Sequence, residues 1–141
     1  MKIHKSATGG RTPTFTFVVL ADTHVNEVEQ GGSSPFIANS RANARARQVF
    51  DEIAAMQPAP AFVVHLGDIV HPVPSLPGFR PAVGHFRDMT AVLPFPLHVV
   101  PGNHDVGDKA VDWMPADVVC DAYLAEYREL FGPDWFAFDH L

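Results

Sequence analysis

The chain has 141 residues, 47% hydrophobic and 18% charged, enough for one domain with a real core and against global disorder. Net charge is −6, and nine carboxylates face two bases between Asp105 and Asp139, so no basic face for nucleic acid is expected. A single cysteine, Cys120, excludes an internal disulfide framework, and no apolar run reaches the ~18 residues that span a membrane.

Residues 1–13 carry Lys2, Lys5 and Arg11 without an apolar segment. They read as a short flexible leader rather than a signal peptide, which points to the cytoplasm. Residues 15–21 (FTFVVLA) form the first apolar run, a buried strand by composition. The Gly31-Gly32-Ser33-Ser34-Pro35 stretch is a loop without the Lys of a phosphate-binding fingerprint. Ser40 is placed to cap a helix over 41–56, with Ala46, Val49, Phe50 and Ile53 on one face. Pro58 and Pro60 forbid its continuation. Residues 61–66 form the second strand run. A second helix carries Pro81 in its first turn, buries Val83, Phe86, Met89 and Leu93, and stops at Pro94.

The third strand run is 97–100. A third helix is expected over 117–131, with Cys120, Leu124, Tyr127 and Phe131 as its apolar stripe and Gly132-Pro133 as its end. Residues 135–138 read as a new strand. The order β-α-β-α-β predicts an α/β fold with a mostly parallel sheet, and the near-continuous apolar strands predict cover on both faces. Of the other histidines, His65 and His98 fall inside strand runs and read as interior, while His85 reads as helix surface. His71, near the strand ends and before Pro72, stays open between site and loop.

Chemistry-bearing residues follow each strand. Asp22-Thr23-His24 follows the first, Gly67-Asp68 the second, and Gly102-Asn103-His104-Asp105 the third. In an open α/β sheet, ligands bind beyond the carboxyl ends of the strands, so three strands deliver these side chains toward one rim. Oxygen and imidazole donors without a thiolate suit Mn, Fe or Zn. Gly67 and Gly102 give the backbone the freedom to turn sharply before Asp68 and Asn103.

The ordered set D-x-H, G-D and G-N-H-D resembles the calcineurin-like metallophosphoesterase family. Residues 67–72 and 131–138 also resemble its branch of purple-acid-phosphatase-like and calcineurin-like phosphoesterase-domain proteins. That resemblance implies a four-layer αββα sandwich, of which this sequence supplies the β-α-β-α-β part. It also implies a dinuclear centre of divalent or trivalent ions (Mn, Fe or Zn) and hydrolysis of phosphate mono- or diesters by a metal-activated hydroxide. Asp22 and His24 are implied as ligands of the first ion, Asp68 as the bridge, and Asn103 as a ligand of the second. His104 is implied to assist phosphoryl transfer, and Asp105 to hydrogen-bond His104 and orient it. His71 stands where the purple enzymes place a metal-binding tyrosine.

Family members carry a further His and a G-H-x-H motif downstream, with no counterpart here, since His140 lies in the beginning strand. The expectation is therefore the N-terminal part, 14–141, of a phosphoesterase domain, truncated at the C-terminus and weak or inactive alone. The alternative is a non-catalytic domain that holds at most one metal weakly. A TIM-barrel hydrolase is remote, since Asn26 stands where that pattern has its second His and a barrel needs ~250 residues.

Overall fold

The computed structural model describes residues 15–32, 34, 36–109 and 118–140. The leader expected over 1–13 lies outside them. Three short strands, β1 (Val18–Leu20), β2 (Val63–His65) and β3 (Leu97–Val99), form a parallel sheet in that order. Three helices alternate with or follow them: α1 (Ala42–Ala54), α2 (Phe79–Thr90) and α3 (Asp121–Phe131). The α/β class read from the sequence holds.

Register explains which face is core. Val18 pairs with Val63, which pairs in turn with Leu97, and Leu20 pairs with His65, which pairs in turn with Val99. Side chains alternate along a strand, so these residues share one face. They meet Phe50 and Ile53 of α1 and Val83, Phe86 and Met89 of α2, all essentially buried. Phe50 and Phe86 meet edge to face at 5.8 Å between centroids, and α3 adds Phe131 at 6.1 Å from Phe86. Burying each such ring is worth roughly 1.5–3 kcal/mol.

The expected cover on both faces is not found among the described residues. On the second face Phe17 and Val19 stay about half exposed. Phe17 stacks on Phe62 at 5.0 Å, and Phe138 stacks on His98 at 4.4 Å. That aromatic group involves residues 136–140 without a backbone ladder, so the strand expected at 135–138 does not form.

Local endings also differ. Ser40 is not a cap: a 3₁₀ turn over Ile37–Arg41 precedes α1, and Ser40 Oγ donates back to Ile37 O at 2.7 Å. The expected start of the third helix at Asp117 lies outside the described residues, and α3 itself begins at Asp121. Cys120 is extended (φ −145°, ψ 165°) and exposed, so it leaves the apolar stripe before the helix starts. Pro81 sits in the first turn of α2 as expected. His85 is not free surface: its Nδ1–H donates to Asn26 O at 2.9 Å.

A candidate metal centre at the strand ends

Pairing of β1 with β2 continues past the strands and laces their loops together. Asp22 N–H donates to Gly67 O at 3.0 Å, His24 N–H to Asp68 O at 3.1 Å, and Val25 N–H to Ile69 O at 3.0 Å. The backbone twists to allow this. Asp22, His24 and Asp68 have φ of 58°, 44° and 52°, and they are the positive-φ non-glycine residues described. Left-handed backbone costs roughly 1–2 kcal/mol per residue for an L side chain, least for Asn, Asp and His. Such strain persists where the surrounding structure fixes it and clusters at functional sites.

Two glycines set the approach of the third loop. Gly67 has φ 94°, and a Cβ there would lie 2.5 Å from Gly102 Cα. A Cβ on Gly102 would lie 2.9 Å from Asp68 Cγ and overlap Asp68 N. The loops after β2 and β3 therefore touch backbone to backbone, which no side chain at either position permits.

Asp105 locks that contact. It is fully buried, and its carboxylate accepts from Ile69 N–H (3.0 Å), Val70 N–H (3.3 Å) and Gly102 N–H (2.9 Å). Burial pushes its carboxyl up to about 6, against the three N–H donors, which favour the ionised form. The hydrogen bond to His104 expected from the resemblance is absent. Asp105 staples two loops, and His104 is oriented otherwise: its Nδ1–H donates to His71 O at 2.8 Å.

Beneath the rim, His65 is a buried strut with an assignable tautomer. Thr23 Oγ1 gives its proton to Ile69 O at 2.8 Å, so it accepts from His65 Nε2–H at 2.9 Å. His65 Nδ1 then accepts Gly67 N–H at 3.2 Å. Burial lowers the His65 pKa to about 4, which keeps the ring neutral. The interior reading of His65 is correct, and its partners tie β2 to both flanking loops.

The rim brings Asp22, His24 and Asp68 together. One ligating atom from each lies within 4.8 Å of the others. His24 Nε2 is 3.8 Å from Asp22 Oδ1 and from Asp68 Oδ2. Asp68 Oδ1 accepts His104 N–H at 3.1 Å. Burial first, then the neighbouring His104, lowers the His24 pKa, while Asp68 and Asp22 work the other way.

Asn103 sits exposed at the lip, and its Nδ2 donates to Asp108 Oδ1 at 2.9 Å, so the carbonyl end is left for a ligand. His104 is buried beside His24, rings 4.9 Å apart. One residue was missed in the sequence. Asp108, 2% exposed, anchors Asn103 and lies 3.6 Å from His104 Nε2. Its only sequence signal was the turn glycine before it, Gly107 at φ 97°. His71, left open, joins the rim 5.3 Å from the His104 ring.

The donors fit a hard or borderline metal ion. They are oxygen and imidazole, and His24 Nε2 is the ring nitrogen that faces both carboxylates. A parallel α/β sheet that carries Asp and His at its carboxyl ends defines a protein with a candidate metal centre. Residues 15–140 match the calcineurin-like phosphoesterase family, and the chain belongs to it. It is 33% identical over 98 residues to the Bos taurus serine/threonine-protein phosphatase CPPED1, covering 66% of this chain and 28% of that protein. The Rattus norvegicus protein of that name is 33% identical over 96 residues (64% and 27%), and that of Danio rerio 31% over 94 (65% and 28%). The matched segment thus spans under a third of these relatives. No helix among the described residues is long and apolar enough to cross a membrane.

Proposed function

We propose that this chain is the N-terminal part, over 14–141, of a metal-dependent phosphoesterase that hydrolyses phosphate mono- or diesters. The observation that carries the reading is the convergence of Asp22, His24 and Asp68, each with left-handed backbone, at the ends of adjacent parallel strands. Family membership and similarity to proteins named as phosphatases support it. Asp22 and His24 would hold one ion, Asp68 would bridge to a second, and the Asn103 carbonyl would face the second. Bound there, a pair of Mn, Fe or Zn ions supplies Lewis-acid charge for an anionic phosphate and an activated water.

The chain's own residues do the rest. Asp68 is fixed by His104 N–H, so its second oxygen is free toward His24. Asp108 orients the Asn103 amide. His104, with Nδ1–H held by His71 O, would donate from Nε2 to a phosphoryl oxygen or leaving group in its doubly protonated form. Asp105 acts on the backbone that positions both loops rather than on His104 directly. Phosphoserine or phosphothreonine esters, small phosphomonoesters and diesters all remain compatible with this rim.

A second reading, metal binding without turnover, is favoured by one observation: the proposed second ion draws only Asp68 and Asn103 from the matched motifs. Hydrolysis of p-nitrophenyl phosphate and its bis ester with Mn²⁺, beside calorimetric Mn²⁺ titration, separates the two. The phosphoesterase reading expects weak, Mn²⁺-dependent release that Asp68→Asn abolishes. Turnover indifferent to Asp68→Asn refutes the site, and Mn²⁺ binding without turnover selects the second reading.

A further inference from the structure

A second set of ligating side chains adjoins the carboxylate group and is chemically different from it. His24, His71 and His104 each offer a ring nitrogen, all within 4.8 Å of one another. Their ring centroids lie 4.9 to 6.0 Å apart. We propose that these three imidazoles form a site for one borderline transition-metal ion, Zn²⁺ foremost, distinct in donor chemistry from the Asp22–His24–Asp68 group.

Three observations support it. His104 donates Nδ1–H to a backbone carbonyl, the arrangement that leaves Nε2 as the lone-pair nitrogen of a ligating histidine. His24 Nδ1 is buried with no partner, so a bound ion would satisfy it. His71 is 7% exposed, and its Nδ1 has a long contact of 3.4 Å with Asn39 Nδ2, a weak bond to give up for an ion.

All-nitrogen donors suit Zn²⁺, Co²⁺ or Cu²⁺ and disfavour Mg²⁺. Zn–N bonds of ~2.0–2.1 Å put ligating nitrogens ~3.4 Å apart, so nitrogens within 4.8 Å of one another need to close by at most about 1.4 Å. Asp108 Oδ2, 3.6 Å from His104 Nε2, is an oxygen at hand for a fourth position. A lone pair that holds an ion cannot exchange a proton with a leaving group. Occupancy of this site therefore excludes the role proposed for His104 in hydrolysis, and Zn²⁺ here would restrain the reaction rather than drive it.

The test uses the whole 141-residue chain with Zn²⁺, and Co²⁺ as its spectroscopic stand-in. One Zn²⁺ per chain is expected, with three imidazoles in its coordination shell by X-ray absorption. Co²⁺ should show the intense visible bands of four-coordination. His71→Gln and His71→Phe should each weaken Zn²⁺ by about tenfold or more, whereas Asp68→Asn should keep it. Asp68→Asn removes the centre proposed for hydrolysis, so failure of that reading leaves this result standing. An oxygen-rich Zn²⁺ shell, or His71 variants that bind as wild type, overturns the inference. Should both variants fail to fold, the ring ¹⁵N signals of the wild-type chain decide: Zn²⁺ must shift those of His71, and unmoved signals overturn it.

Discussion

Acid should unfold this protein partly through a histidine far from the surface. His65 is fully buried, and its ring is neutral because Nδ1 accepts Gly67 N–H while Nε2–H serves Thr23. Its pKa is lowered from 6.5 to about 4, with desolvation the largest cause. Above 6.5 the ring is neutral folded or unfolded, and the full stability is present. Below 6.5 the unfolded chain takes a proton that the folded ring refuses until about pH 4, so stability is lost as pH falls through that window. At about 1.4 kcal/mol per pKa unit the loss attributable to His65 is about 3 kcal/mol.

Asp105 acts in the opposite direction across much of the same range, because its carboxyl is pushed up to about 6 and favours the folded state as pH falls. The difference between wild type and His65→Gln isolates the histidine. Urea unfolding in EDTA at pH 7.0, 5.5 and 4.5 should show a steeper acid loss for wild type than for the variant. A His65 ring signal that titrates at 6.5 or above, or identical acid slopes, refutes the reasoning.

Gly102→Ala should lower stability by about 1–3 kcal/mol, because its Cβ meets Asp68 at a backbone contact that cannot yield. A thermal scan that shows no loss would mean the loops do not meet as described. Asp108→Ala frees the Asn103 amide and should weaken Mn²⁺ about tenfold by calorimetry while leaving the secondary-structure spectrum unchanged. Unaltered affinity would remove Asp108 from the site. Phe50→Ala, at the junction of α1 and α2, should cost about 3–5 kcal/mol in urea unfolding. A loss under 1 kcal/mol would show that the helices repack around the cavity.

Strands and helices were legible because apolar runs and prolines act locally. The run around Val63 and Val64 carries β2, and α2 stops at Thr90, short of the Pro94 that bars its continuation. Ligand positions were legible because strand ends converge in a parallel sheet. What escaped was direction. Sequence placed Asp105 beside His104 but could not show its carboxylate aimed at three backbone N–H groups. Cys120 shared the 3.6-residue spacing of Leu124 and Tyr127, yet the helix starts one residue later and turns it outward. Asp108 reaches the rim only through the tertiary path of its loop, which no spacing encodes.

The left-handed backbone at Asp22, His24 and Asp68 has a consequence for how these positions tolerate replacement. Asn, Asp, His and Gly enter that conformation most readily, and β-branched residues least. The chain's shape therefore pre-sorts its own substitutions before any ion selects among them. Asn at 22 or 68 should keep the loops and lose the charge, while Val or Ile should break the loops first. In a mutational scan scored once for abundance and once for metal retention, these positions should split the two scores. Asn and Gly would survive in the first and vanish from the second.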